Sequence, residues 1–172
     1  MNSALHRPDL PPIVAVLENV RSLWNVGSIL RSADGAGLER VLLCGYTGHP
    51  PRKEISKTAL GAEDHVPWEY WSSAAEACQS LAEEGYRVIA LETGSSSSDL
   101  DSVPLEARTA FVVGNEVEGI RAETLAHCAA WAALPMRGHK DSLNVAVAFG
   151  VAAYILRRRS LLESATREKA SG

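Results

Sequence analysis

With 172 residues, 46% of them hydrophobic and 22% charged, the chain has the size and composition of one soluble globular domain. This composition excludes a disordered protein, a collagen-like protein and a disulfide scaffold. The net charge of -4 counts against a broadly basic nucleic-acid-binding surface. A local basic patch can still bind phosphate on an acidic protein, because the local field decides such a contact.

The cysteines give no indication of a metal site. Cys44, Cys78 and Cys128 are widely spaced and lie among apolar residues, with no CxxC or Cys/His ligand pair. The sequence therefore predicts no metal. Residues 1–12 contain no signal-peptide core, and no apolar run approaches the roughly 20 residues of a membrane span. We expect a cytoplasmic protein that does not bind to membranes.

The first half of the chain alternates short apolar runs with amphipathic segments. Asn25 is predicted to cap the first helix, and Gly35 and Gly37 to end it. Ser72 is predicted to cap a later helix that Gly85 ends. The predicted strands are 13–17, 41–44 and 66–70, and the predicted helices are 25–34, 55–60 and 72–84.

The second half continues the alternation, with a serine-rich loop at 94–99. The predicted strands are 88–91, 110–113 and 131–134, and the predicted helices are 122–127 and 144–159. Alternating strands and helices are typical of an α/β fold with a largely parallel sheet that helices flank on both faces. We expect one domain over residues 1–172, with short tails at about 1–11 and 160–172.

Polar segments follow three of the predicted strands, at the sheet edge where α/β proteins bind ligands. The first contains Asn25 and Arg31, the second is the turn 114–119, and the third is the loop 134–144. Each has a purely structural explanation as a helix cap, a solvated charge or a plain turn. The sequence contains no GxGxxG, GxxxxGK or Gly-x-Ser-x-Gly motif, which counts against dinucleotide-binding, P-loop and α/β-hydrolase enzymes.

Taken together and in order, the three segments resemble a known family. Asn-x-Gly-x-x-x-Arg at 25–31, Gly-Asn-Glu-x-x-Gly-Ile at 114–120 and Leu-Pro-Met-x-Gly-x-x-x-Ser-Leu-Asn-Val at 134–145 are similar to the motifs of SpoU (TrmH-like) methyltransferases of the SPOUT superfamily. The resemblance extends from Ile13 to about Arg158, and residues 57–62 resemble the family's substrate-side segment. It implies a C-terminal trefoil knot and an S-adenosylmethionine-dependent enzyme that methylates a ribose 2′-hydroxyl of RNA.

The resemblance also implies a set of site residues. Those expected to hold S-adenosylmethionine are Leu91, Glu92, Thr93, Gly94, Gly114, Asn115, Ile120, Leu134, Met136, Ser142 and Leu143. Those expected at the reacting oxygen are Arg31, Asn25, Glu116, Ser142 and Asn144. A guanidinium stays protonated at neutral pH, so we favour phosphate binding and electrostatic stabilisation over a general-base role for Arg31.

The resemblance implies RNA and a second copy of the chain as partners. The residues expected to contact RNA are Arg21, Arg52, Lys53, Lys57, Arg137, His139 and Lys140. The last predicted helix has apolar residues on more than one side, which indicates either a central core helix or, as the resemblance implies, a homodimer interface. Three arginines at 157–159 are interpreted as a solvated helix end. A compact dimer favours tRNA as the acceptor, with rRNA as the alternative.

The sequence is also compatible with three other functions. One is a SPOUT enzyme that methylates a ring nitrogen of a base. Another is an inactive RNA-binding module that retains the fold, against which all the matching polar positions are filled. The last is an α/β enzyme acting on a small molecule, which the identity of the methyl acceptor would distinguish.

Overall fold

The computed structural model describes residues 9–170, apart from the side chain of Glu168. Residues 1–8 and 171–172, which belong to the expected tails, lie outside the described residues. The strands are β1 (Ile13–Glu18), β2 (Arg40–Cys44), β3 (Trp68–Trp71), β4 (Arg87–Leu91), β5 (Ser98–Asp99), β6 (Thr109–Val113) and β7 (Ala130–Ala133). The helices are α1 (Leu23–Ala36), α2 (Lys53–Ala59), α3 (Ala74–Glu83), α4 (Ala122–Leu125) and α5 (Val145–Ala170), with a 3-10 turn at Ala62–Asp64.

The strands form one sheet of seven parallel strands in the order β3-β2-β1-β6-β4-β7-β5. All six residues of β1 are buried, because β1 lies inside the sheet and is covered on both faces. A strand in this position needs apolar side chains on both of its sides, which explains its continuous apolar run. The predicted α/β class with a largely parallel sheet is confirmed.

Two apolar layers pack on the two faces of the sheet. One contains residues of α1, α2 and α5 and includes the rings of Phe111 and Phe149, whose centroids are 5.1 Å apart. The other contains residues of α3, including Cys78 and Leu81, against Val16 of β1. Helices cover both faces of the sheet, so a ligand can reach it only at its ends. The polar loops lie at the end formed by the carboxyl termini of the strands.

Most predicted elements lie within two residues of their expected bounds, but several caps differ. Ser22, not Asn25, caps α1, since its side chain accepts a hydrogen bond from the Asn25 backbone N–H. Gly37, with φ of 65°, ends the helix in the left-handed conformation, whereas Gly35 lies inside it. Ser73, not Ser72, caps α3.

Two segments contain more regular structure than predicted. The segment 94–99, predicted to be a loop, ends in the short strand β5, which pairs with β7 and depends on that tertiary contact. Helix α5, predicted to end at Arg159, continues to Ala170. Its extension carries i,i+4 ion pairs from Arg159 and Arg167 to Glu163, at 3.3 and 3.7 Å, which support helical structure at this exposed end.

The interpretation of residues 157–159 as a solvated helix end is wrong for two of the three arginines. Arg157 is buried and donates hydrogen bonds to the backbone carbonyls of Ala36, Pro11 and Gly37, at 2.9, 2.6 and 2.7 Å. Arg159 donates to the carbonyl of Leu100 at 2.7 Å. Only Arg158 is exposed as expected. The guanidinium group of Arg157 joins α5 to the end of α1, because its planar set of donors reaches several carbonyls at once.

Within residues 9–170, no helix is both long enough and apolar enough to cross a membrane. The trefoil knot stays a prediction that rests on the family resemblance.

Candidate active site

A cavity of about 460 Å³ opens beyond the carboxyl ends of β4, β6 and β7. This is the size and the position in which α/β proteins bind small ligands. Its walls come from the segments that follow these strands and from the start of α5. The lining residues are Leu91, Glu92, Thr93, Val113, Gly114, Asn115, Glu116, Val117, Glu118, Gly119, Ile120, Ala133, Leu134, Met136, Ser142, Leu143, Asn144, Val145 and Ala148.

The structure brings together nearly all the residues expected to hold a cofactor. Of that set, only Gly94 does not line the cavity. Seven further residues that were not predicted to hold the cofactor also line the cavity, namely Val113, Val117, Glu118, Gly119, Ala133, Val145 and Ala148. Four of them, Val117, Glu118, Gly119 and Val145, lie inside the motif segments 114–120 and 134–145. The other three are apolar: Val113 and Ala133 end β6 and β7, and Ala148 lies in the first turn of α5.

The turn after β6 is fixed by Asn115. Its side-chain oxygen accepts hydrogen bonds from the backbone N–H groups of Val117 and Glu118, at 2.8 and 2.9 Å, and its amide donates to the Asn19 carbonyl at 2.9 Å. A Cβ on Gly114 would lie 2.4 Å from the Gly119 carbonyl carbon, so the turn closes only with glycine there. The backbone N–H and C=O of Asn115 also pair with Gly119, at 3.1 and 3.0 Å. Asn115 therefore organises this part of the cavity wall through both its side chain and its backbone.

A chain of side-chain hydrogen bonds joins the three motif segments at the rim of the cavity. The Asn25 amide donates to the Glu116 carboxylate, and the Asn144 amide donates to the Asn25 side-chain oxygen, each at 3.3 Å. Asn144 also caps α5, since its side-chain oxygen accepts from the backbone N–H groups of Ala146 and Val147. The three polar residues thus hold one another in a fixed arrangement.

Glu116 is held further by backbone groups. The N–H groups of Arg21 and Ser22 each donate to its carboxylate at 3.1 Å. Burial by itself would raise the pKa of Glu116, but the hydrogen bonds from Arg21, from its own backbone, from Ser22 and from Asn25 stabilise the charged form and lower this pKa below its ordinary value. A carboxylate with a lowered pKa is a weak base, so the arrangement suits positioning better than proton abstraction.

Arg31 is not brought to this cavity within one chain. It lies exposed on α1, does not line the cavity, and has no hydrogen-bond or ion-pair partner among the residues that the structure describes. Ser142, by contrast, lines the cavity. The role of Arg31 at the reacting oxygen therefore stays a prediction.

All the basic residues expected to contact RNA are exposed, in three segments. Arg21 lies beside Glu116, to which its backbone N–H donates. Arg52, Lys53 and Lys57 lie at α2 or just before it, and Arg137, His139 and Lys140 lie in the loop between the cavity residues Met136 and Ser142. Lys57 Nζ also lies 5.5 Å from the centroid of the Trp24 ring.

Sequence reasoning missed the buried polar residues that hold the loops together. Asn19, at φ of 56°, accepts a hydrogen bond from the Tyr46 backbone N–H through its side chain. Thr47 accepts a hydrogen bond from the Val20 backbone N–H and donates to the Leu17 carbonyl. Glu92, which was predicted at the cofactor and is partly buried, accepts from the backbone N–H of Ile120 at 2.8 Å, and this contact was not predicted. Such contacts join residues far apart in the chain and leave no local sequence pattern. In the described part of the chain, no cluster of three or more His, Cys, Asp or Glu side chains could hold a metal ion.

Comparison with known proteins gives concordant results. The model of the SpoU rRNA Methylase family matches residues 12–154. A 23S rRNA (guanosine-2′-O-)-methyltransferase RlmB from Pseudomonas aeruginosa is 33% identical over 164 residues, or 95% of this chain, and one from Neisseria meningitidis is 32% identical over 154 residues, or 90% of it. The chain spans 66% and 61% of the length of these two relatives.

Solved structures agree with the sequence relatives. The AdoMet-bound rRNA methyltransferase from Sinorhizobium meliloti has a TM-score of 0.80 and 27% identity, with 92% of this chain and 61% of that chain covered. A structure described as structural insights into the 2-OH methylation of C/U34 on tRNA has a TM-score of 0.76 and 27% identity, with 89% of this chain and 99% of that chain covered. The resemblance drawn from the three motifs is confirmed, and the chain belongs to the SpoU rRNA Methylase family.

Proposed function

We propose that this protein transfers the methyl group of S-adenosylmethionine to a ribose 2′-hydroxyl of RNA. The observation that carries the proposal is the meeting of the three motif segments at one cavity, where Glu116, Asn25 and Asn144 form a hydrogen-bonded chain at the rim. Family membership and the AdoMet-bound relative support the same assignment.

The cavity fits S-adenosylmethionine in size and in character. Apolar side chains such as Leu91, Ile120 and Leu134 suit the adenine ring, and backbone groups around Gly114 can bind polar atoms of the ligand. When bound, the cofactor would supply an activated methyl group: an oxygen nucleophile would bond to the methyl carbon as the carbon–sulfur bond breaks, and S-adenosylhomocysteine would leave as a neutral thioether. The protein must then orient the 2′-hydroxyl and favour loss of its proton.

Orientation is the largest contribution that the protein can make to such a displacement. Asn25 and Asn144 have fixed amide groups at the rim, and Glu116 holds Asn25 in place. Arg31, as a permanent cation, would bind the phosphate next to the reacting ribose and stabilise negative charge that develops on the oxygen. This assigns Arg31 an electrostatic role and Glu116 a positioning role.

The names of the relatives bear on the choice of acceptor RNA. The curated relatives are named as 23S rRNA methyltransferases, which favours rRNA over the tRNA that compact size suggested. A specific observation keeps tRNA as the second candidate: the structure described for methylation of C/U34 on tRNA is covered over 99% of its length. The two acceptors are therefore tested side by side.

A homodimer completes the proposed site. Val147, Val151 and Tyr154 form an exposed apolar stripe on α5, and 42–55% of their surface remains accessible in the single chain. The stripe lies beside α1, because the Tyr154 hydroxyl is 2.6 Å from the position of a Cβ on Gly35. A second copy on this stripe would cover it and lie next to Arg31, whose guanidinium could then serve the partner's cavity.

The proposal is tested by incubating the purified protein with radiolabelled-methyl S-adenosylmethionine and either bacterial rRNA or bacterial tRNA. Both RNAs are transcribed in vitro, so that they carry no methyl groups beforehand. Ribose methylation is mapped by its resistance to alkaline cleavage. We expect label on a 2′-oxygen in one RNA class and none with Arg31→Ala. Label on a base would instead assign a ring-nitrogen methyltransferase, and cofactor binding without transfer to either RNA would favour a binding-only module.

A further inference from the structure

A row of aromatic side chains leads away from the cavity, from the loop after β2 onto the neighbouring strand β3. Its members, which we call the aromatic row, are Tyr46, His49, Trp68 and Tyr70. The row begins at the cavity wall, where the Tyr46 hydroxyl accepts a hydrogen bond from the Asn115 amide at 2.9 Å. It continues through Tyr70 to His49, whose ring stacks on Trp68 with centroids 5.7 Å apart and an interplanar angle of 21°.

The tyrosine rings of the row are held in place, yet they remain exposed. The Tyr70 hydroxyl donates to the Gly45 carbonyl at 3.1 Å, and Tyr46 is fixed through Asn115. Even so, Tyr46 is 54% exposed and Tyr70 52% exposed. Rings with anchored hydroxyls and open surface lose little freedom when another flat group stacks on them. The nucleobases of an unpaired strand are such groups.

The charges next to the row match a phosphate backbone. Arg52 and Lys53 follow His49 closely in the chain and are exposed, and neither forms an ion pair with a described side chain. Glu69, between the aromatic residues of β3, points to the other face of the sheet, where it lies 3.6 Å from Arg40. Aromatic surface beside free cations is the arrangement by which proteins bind single-stranded nucleic acid.

We propose that the aromatic row binds the unpaired RNA nucleotides next to the one that is methylated. Tyr70 and His49 stack on bases, and Arg52 and Lys53 contact the phosphates between them. Because the row starts at Asn115, a strand bound along it leads the next nucleotide to the cavity. The inference rests on the proposed function in one respect, that the acceptor is RNA.

The test begins with a single-stranded oligoribonucleotide of about ten nucleotides that contains 5-iodouridine, within the length that single-strand sites cover. After irradiation with the full-length protein, we expect the cross-linked peptides to contain Tyr70 or His49. Binding is then measured for variants. Tyr70→Ala should raise the dissociation constant about tenfold, the size of one stacking contact, whereas Tyr70→Phe, which keeps the ring, should stay close to wild type.

Two comparisons distinguish stacking from other effects. Glu69→Gln, on the same strand but facing away, should not weaken binding. Lys53→Ala should reduce the slope of log affinity against log salt by about one, whereas Tyr70→Ala should leave that slope unchanged, because stacking releases no counterions. Equal melting temperatures for Tyr70→Ala and wild type exclude misfolding as the cause.

The row and the methyltransferase assignment can fail separately. If Tyr70→Ala binds the oligonucleotide as tightly as wild type, or if cross-links form only elsewhere, the row is not an RNA site, whatever the enzyme methylates. If the wild type cross-links at Tyr70 but labels neither rRNA nor tRNA, the row stands and the proposed reaction is wrong.

Discussion

Glu116 stands out among single residues because four of its hydrogen bonds favour its charged form, and its pKa is lowered despite partial burial. A lowered carboxyl pKa stabilises the fold above the ordinary glutamate pKa of about 4.3, and this contribution is lost as the pH falls through the lowered value. We expect Glu116→Gln to lower the melting temperature at pH 7, by the small amount typical of a solvent-screened group, and this difference to shrink below about pH 4. Thermal melts from pH 7 to about pH 3.5 measure it.

The matched control is Glu118→Gln. Glu118 is exposed two residues further on, and its carboxylate accepts no hydrogen bond from the described residues. Its replacement should leave the melting temperature unchanged across the same pH range. A difference between Glu116→Gln and wild type that grows on acidification would contradict the assigned hydrogen bonding.

The hydrogen bonds of Arg157 lead to a prediction about the free energy of unfolding. Its buried guanidinium donates hydrogen bonds to three backbone carbonyls, and burial lowers its pKa. The compact ammonium of lysine cannot reach all three, so Arg157→Lys leaves buried acceptors unpaired at a cost of about 3 kcal/mol. We expect the midpoint of urea denaturation to fall accordingly. Arg158→Lys, at the exposed neighbouring position, should change it little, and equal losses in both variants would contradict the structural difference between them.

At the scale of elements, α1 and α2 approach closely at Gly27. A Cβ there would lie 2.0 Å from the Thr58 hydroxyl and 2.3 Å from the Ile55 carbonyl oxygen. A hydroxyl can rotate away, but a backbone carbonyl cannot, so Gly27→Ala forces the helices apart. We expect a loss of about 2 kcal/mol, or roughly 4–8 °C in melting temperature. Gly94→Ala, where a Cβ meets nothing within 4 Å, should melt within about 1 °C of wild type.

Some helices and strands were predictable from the sequence, and some of their ends were not. The strands of the sheet centre were predictable because burial on both faces requires unbroken apolar runs such as that of β1. The cap of α1 was not, because Ser22 and Asn25 are both good capping residues and only the fold engages Asn25 with Glu116. The end of α5 was not predictable, because Arg157 and Arg159 have the appearance of a charged helix end in the sequence. Their hydrogen-bond partners, Pro11 and Leu100, lie in distant segments of the chain.

The candidate site was also predictable only in part. The motif segments were predictable as a set, since parallel strands bring their carboxyl ends to one edge. The contacts that hold these segments together were not, because Asn19, Thr47 and Glu92 join loops that are distant in sequence. Arg31 was predictable as a site residue only through the family resemblance, and the single chain leaves it outside the cavity.

For the whole molecule, the exposed stripe on α5 predicts the oligomeric state. In a two-fold interface each residue near the axis faces its own copy, so a charge introduced there is both desolvated and repelled. We expect Val151→Glu to convert a dimer to a monomer at micromolar concentration in analytical ultracentrifugation. Leu60→Glu, a matched change at a residue 66% exposed at the end of α2, should remain dimeric. A monomeric wild type would contradict the interface.

The position of Arg31 leads to a sharper prediction, since an active dimer could use this arginine on its own cavity or on the partner's. Met136→Arg, in the cavity wall, should block cofactor binding, and Arg31→Ala should remove the cation; each variant alone should be inactive. In a mixed dimer, a cavity served by the partner's arginine is intact in one site of two. Because half of randomly mixed dimers are heterodimers, remixing should restore about a quarter of wild-type methyl transfer. Activity that stays absent in a mixture verified to contain heterodimers would mean that each Arg31 acts within its own chain, and α1 would then have to move towards the cavity.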